Sequence, residues 1–154
     1  MTEIASGITR EWLFDGRVIV YTVSSVNLAA INRWSISAVQ TLEAWPKDRP
    51  YLALHDISKP GIGLLYVAAV ENDIFNIGVI PEARKRIQES TLNPNPAWTV
   101  ALALVVSPSL SGRLAQLLFH EPTYESPIQC KAYFDRSSAL AWLAQIGGFE
   151  PSME

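Results

Sequence analysis

The chain is poor in the residues that most catalytic and metal chemistry needs. Its 154 residues include one cysteine, Cys130, and two histidines, His55 and His120. One cysteine excludes an intramolecular disulfide and fits a reducing compartment. Charged residues make up 18% of the chain, against about 25% in an ordinary soluble domain. The formal charge of −3 gives no case for a nucleic-acid partner. No apolar run approaches the ~20 residues of a membrane span. Met1 to Ser6 lacks a basic region followed by an apolar run, so no secretory leader is expected. There is no Gly-X-Ser-X-Gly elbow, no internal repeat, no low-complexity tract and no interdomain linker. These absences point to a cytoplasmic, single-domain chain over residues 1–154, with an ordered core of about 8–147.

Hydrophobic residues are plentiful, at 49%. Such a share suggests a sheet covered on both faces, or surface buried in an oligomer. Asp15-Gly16 lies between two strand-like runs, Ile8 to Phe14 and Arg17 to Val23, which is a strong hairpin signal. Alternation puts Ile8, Arg10, Trp12 and Phe14 on one face of the first arm, read as an edge strand. The second arm is apolar on both faces, as an interior strand should be. Ser25 or Asn27 caps a helix whose stripe is Leu28, Ile31, Ala38, Leu42 and Trp45, with Pro46 as its stop. Trp34 and Ile36 lie partly off that stripe. They either widen it or meet another chain.

Tyr51 to Ile57 reads as a buried strand. Helices are expected over 64–73 and 81–90, the second opening at Pro81, with an apolar stretch from Ile74 to Ile80 between them. Trp98 to Val106 reads as a central buried strand. A helix over 110–119 follows, capped from Ser107 and Ser109. The chain closes with a strand from Ile128 to Phe134 and a helix from Ala139 to Ile146. Asp135 to Ser138 caps that helix and Gly147-Gly148 ends it. Strands alternating with helices give an α/β fold. The expectation is a single mixed, mainly parallel sheet of about five strands, with an N-terminal β-hairpin and four to five helices.

The segment from Tyr51 to Leu65 is the best place to seek a site. Asp56 stands near the carboxyl end of a strand, where open α/β sheets bind ligands, and equally suits capping of the next turn. Gly61-Ile62-Gly63 precedes a helix and could present backbone N–H groups to an anion. The dinucleotide spacing is missing, because position 66 is tyrosine, and no Walker lysine follows. A tight strand-to-helix turn is the simpler role. Ser107 and Ser109 form a second hydroxyl-rich helix start, for which simple capping is favoured. His55 and Asp56 point to opposite faces of their strand, so they do not make a metal pair, and no metal or cofactor is expected. Cys130 lies in an apolar strand and reads as core. Arg84 to Arg86 share their helix with Glu82 and Glu89, which is a solvated face. Trp12 and Trp34 are the aromatics best placed to mark an interface.

Three segments carry a family resemblance. They are Phe14 to Val20, Leu54 to Ser58 with Gly61 and Gly63, and Tyr133-Phe134-Asp135 with Ala139 to Leu143. Together with the element order, they resemble the STAS/SpoIIAA-like fold of bacterial anti-sigma-factor antagonists, which shares broad architecture with SEC14-type lipid-binding domains. The resemblance implies a non-enzymatic regulatory or protein-interaction module whose switch site lies on the strand and loop from Leu54 to Gly63. In signalling members an aspartate precedes a phosphorylatable serine or threonine at a helix start. Here no Asp-Ser pair lies between Ser58 and Gly61, Lys59-Pro60 replaces the usual small residues, and Ser58 is the nearest hydroxyl. Asp56, Ser58, Gly61, Gly63, Ser107 and Ser109 are therefore the candidate switch or ligand loop residues, with no catalytic residue assigned. A protein partner or homodimer is expected. The alternative is a carrier of a small apolar or amphipathic ligand held around Leu64 to Ile80. A weaker alternative is an enzyme using Asp56.

Overall fold

The structure is a computed structural model that describes residues 1–25, 28–62, 98–109, 112, 113, 116 and 128–150. The side chains of 28, 31, 32 and 128 lie outside that description. Six strands form one sheet in sequential order. They are β1 (Thr2–Ala5), β2 (Ile8–Leu13), β3 (Val18–Val23), β4 (Tyr51–Ile57), β5 (Val100–Val106) and β6 (Ile128–Tyr133). β1, β2 and β3 are antiparallel neighbours, and β3 to β6 run parallel. Two helices are described, α1 (Leu28–Ala44) and α2 (Arg136–Gly147).

The mixed, mainly parallel α/β sheet agrees with the sequence reading, but its count does not. Six strands replace about five, because Thr2–Ala5 pairs with β2 through Thr2↔Arg10, Glu3↔Thr9 and Ala5↔Ile8. So short a strand has little apolar pattern of its own. Its order comes from backbone hydrogen bonding to a neighbour, which periodicity does not reveal. β2 is therefore interior to a three-strand meander and is not the edge. The expected helices over 64–73 and 81–90, the Ile74 to Ile80 stretch and Arg84 to Arg86 lie outside the described residues. Of the helix expected over 110–119, Gly112, Arg113 and Gln116 are helical.

The hairpin also differs in detail. β2 ends at Leu13 and β3 begins at Val18, so the loop holds four residues. Phe14, Asp15 and Gly16 all take positive φ (52°, 53° and 76°), and Arg17 N donates to Leu13 O at 3.1 Å. Asp15 and Gly16 tolerate that region, and Phe14 is carried into it by the turn. The twist breaks the alternation at Phe14. Ile8 stays on the α1 face, whereas Phe14 packs against Phe149 in the opposite core.

Both faces of the sheet are buried, which accounts for strands with little polar alternation. On one face α1 covers Ile19, Tyr21, Ala53, Ile57 and Leu104 with Ala30, Trp34, Leu42 and Trp45. On the other, α2 covers Val18, Val20, Leu52, Leu54, Ala101 and Ala103 with Ala139 and Leu143. Trp34 is only 3% exposed and belongs to the core, so it marks no interface. Ile36, two residues on, turns outward and is exposed. Cys130 is partly buried against the α1-side core.

Caps fix the helix ends. Asp135 accepts Ser138 N at 2.8 Å and the Ser137 hydroxyl at 2.6 Å, so α2 starts at Arg136, three residues before the expected Ala139. Gly148, at φ 66°, closes it through N–H bonds to the last-turn carbonyls. An ion pair between Arg136 and Glu11 ties α2 to β2. No helix among the described residues is long and apolar enough to cross a membrane.

Candidate functional site at the carboxyl edge of the sheet

Parallel register decides which loops meet. Ile57 of β4 lies beside Val106 of β5, so the segments that follow, from Ser58 and from Ser107, leave the same edge of the sheet. Four of the six candidate loop residues, Asp56, Ser58, Ser107 and Ser109, are thus carried to one edge by two adjacent central strands. Gly61 follows in the first loop, and Gly63 lies outside the described residues.

Asp56 sits within the row Thr22, Asp56, Val105 and Tyr133 on the α2 face. It is partly buried. Its Oδ1 accepts the Ser58 hydroxyl at 2.6 Å and the Ser58 amide at 3.1 Å. An aspartate bonding its own backbone two residues on is an Asx-type turn, reinforced here by a serine hydroxyl. Lys59 Nζ reaches the Ser24 carbonyl at 2.6 Å and pins the loop to the end of β3. Ile62 N then donates to Lys59 O at 3.1 Å. Gly61 takes φ 85°, a region that a side chain would strain. The glycine thus serves the strand-to-helix turn.

Ser107 and Ser109 form the second half of the edge. Their hydroxyls lie 2.8 Å apart, and Ser109 Oγ accepts Gly112 N at 3.3 Å. Arg113 N donates to Ser109 O at 2.9 Å. Ser109 is therefore a helix cap, as the simpler reading held. Gly112 has a steric reason: a Cβ there would sit 1.8 Å from Ser107 O.

His55 is directed away from this edge. It faces α1, 7% exposed, with the Tyr21 and Trp34 rings edge-on at centroid distances of 5.3 and 5.1 Å. Burial pushes its imidazole down to about pKa 3, so it is neutral at ordinary pH. His55 and Asp56 are adjacent in sequence and lie on opposite faces of β4. Among the described residues no group of three or more His, Cys, Asp or Glu side chains could hold a metal ion.

A second concave region lies elsewhere. An open cavity of about 310 Å3 runs between β2 and the flank of α1, with Arg10, Trp12, Thr41, Trp45 and Arg49 in its lining. Sequence reasoning placed a ligand around Leu64 to Ile80, which lies outside the described residues, and missed this one. A signal was present: Arg10 interrupts an apolar alternation between Ile8 and Trp12. Trp12 is 47% exposed and stacks on Trp45, centroids 5.6 Å apart. Comparisons of the chain with protein-family models, curated proteins and solved structures find no match.

Proposed function

We propose that the chain is a non-enzymatic regulatory or protein-interaction module of the STAS-like kind, acting as a homodimer through a cytoplasmic pathway. Its partner-facing edge is formed by the loops that follow β4 and β5. One observation carries the reading: Asp56 Oδ1 holds both the hydroxyl and the amide of Ser58. The carboxylate at the carboxyl end of β4 thereby braces a turn, and the hydroxyl of Ser58 is the donor on which the brace depends.

That arrangement makes Ser58 a switchable position. A phosphate there removes the hydroxyl donor and sets negative charge against the Asp56 carboxylate, so the turn opens. The sequence departs from signalling relatives in where its hydroxyl sits, and the Asp56–Ser58 bond supplies the coupling at the shifted position. Composition supports the homodimer reading, with 49% hydrophobic and 18% charged residues, as do apolar side chains such as Ile36 and Phe134 at the surface.

The test is mass spectrometry of the protein recovered from cells under varied growth conditions, together with a Ser58→Asp variant. Phosphate on Ser58 is expected in some conditions. Its absence throughout, with a Ser58→Asp loop that behaves as the parent, would leave Ser58 as a turn residue only.

A further inference from the structure

The cavity beside α1 has a lining that suits one kind of ligand. Arg10 and Trp12 line the cavity from β2, across from α1. Ser37 and Thr41 line it from α1, and Trp45 and Arg49 complete the lining. A volume of about 310 Å3 falls at the small end of the ~300–1,000 Å3 typical of ligand sites.

The lining holds two guanidinium groups and no carboxylate, although the chain as a whole is acidic. Arg10 is partly buried and makes no ion pair among the described residues. Its surroundings are hydroxyls. The Tyr21 phenol, next to Arg10 across the β2–β3 ladder, donates to Thr41 Oγ1 at 3.2 Å, and Thr41 Oγ1 donates to the Ser37 carbonyl at 2.7 Å. Burial raises the Tyr21 phenol, and the Thr41 hydrogen bond and the charge of Arg10 oppose that rise, so the phenol stays protonated beside the cation. A half-buried guanidinium with no carboxylate partner among the described residues is a fork-shaped donor for a planar anion.

The aromatic half of the cavity is equally specific. Trp12 is held nearly parallel to Trp45, with an interplanar angle of 21°, and Arg49 lies over the Trp45 ring at 5.0 Å. Trp45 is itself fixed by its Nε1 donating to Pro50 O at 3.1 Å. The stack therefore presents a rigid, flat apolar wall whose outer member, Trp12, is about half exposed.

We propose that this cavity binds a small aromatic carboxylate, with the carboxylate held by Arg10 and the ring set against Trp12. Arg49 adds a second positive charge to the lining. The site is separate from the Ser58 loop and requires no change there.

The experiment uses the full chain with nitrogen-15 tryptophan, whose indole N–H signals report each ring. The probes are phenylacetate, its neutral isostere phenylacetamide, inorganic phosphate and N-acetyl-Gly-Phe. Phenylacetate is expected to shift the Trp12 and Trp45 signals saturably in the millimolar range, with Trp34, Trp98 and Trp142 unmoved. Phenylacetamide and phosphate are each expected to bind at least ~10-fold more weakly. Arg10→Gln should lose phenylacetate binding by a similar factor while keeping the Trp34, Trp98 and Trp142 signals in place, and Trp12→Ser, at an exposed position, should lose it too with those three signals unmoved. Equal binding of phenylacetamide would overturn recognition by charge. Equal binding of phosphate would make this a bare anion site. Tighter binding of N-acetyl-Gly-Phe would assign it to a peptide terminus, and no saturable shift by any probe up to about 20 mM would overturn the site itself.

Discussion

His55 gives the fold a pH dependence that can be worked out in advance. The imidazole is buried among the Tyr21 and Trp34 rings and is held near pKa 3, against 6.5 when solvated. A histidine with a depressed folded-state pKa stabilises the fold above its unfolded value, and that contribution is lost as pH falls from 6.5 toward 3. In linkage terms the unfolded chain binds the extra proton, so stability rises with pH across that window. Each unit of pH below 6.5 costs about 1.4 kcal/mol, which amounts to about 2 kcal/mol at pH 5. Carboxylates titrate in the lower half of the same window, so the informative quantity is a difference between proteins. Urea unfolding of the parent and of His55→Leu and His55→Gln, from pH 7.5 to 5, isolates it. His120 is common to all three and cancels. The parent should lose about 2 kcal/mol relative to either variant over that range, whatever the baseline cost of the substitution. A difference that stays flat within about 0.5 kcal/mol would show that His55 takes up its proton without unfolding and refute its burial as a neutral side chain.

The remaining expectations are separate from one another. Leu143→Ala removes a fully buried side chain from the α2-side core, and denaturant unfolding should show a loss of about 3 kcal/mol. Asp135→Ala removes the acceptor for Ser138 N and should lower the melting temperature at neutral pH. The hydrogen bonds from Ser137 and Ser138 lower the Asp135 carboxyl pKa, so the penalty should fade as pH falls through that lowered value. Light scattering of the full chain should give twice the 17.0 kDa of one protomer, and a strict monomer at every concentration would count against the homodimer.

The central sheet was the part most legible in the sequence. β3, β4 and β5 are apolar on both faces, and such runs have few options other than burial between two layers. Asp135 and Gly148 announced the limits of α2 because capping is local chemistry, written within four residues of the helix end. β1 was not legible, since its order depends on hydrogen bonds to β2. Of the two roles open to Trp34, widening the buried stripe or marking an interface, the structure shows the first, because α1 buries a wide arc: Ser35 and Val39 are buried as well. At the candidate site, alternation separated His55 from Asp56 correctly. It did not reveal that Asp56 would bond Ser58, because that depends on the turn's geometry. The Arg10 cavity required knowing how β2 and α1 face each other, a tertiary fact with only one local trace, a lone arginine on an apolar face.

The most direct test of the braced-turn account is amide hydrogen exchange at the loop after β4, compared among the parent, Ser58→Asp and Ser58→Asn. Ser58→Asp deletes the hydroxyl donor and places like charge beside Asp56, a change of about 1 kcal/mol from the hydrogen bond alone. Faster exchange of Ile62 N–H is expected in Ser58→Asp, with β4 itself unchanged, and a smaller effect in Ser58→Asn, whose amide can still donate to Asp56. Equal exchange at Ile62 in all three proteins would contradict it, because the Asp56–Ser58 contact would then not control the loop.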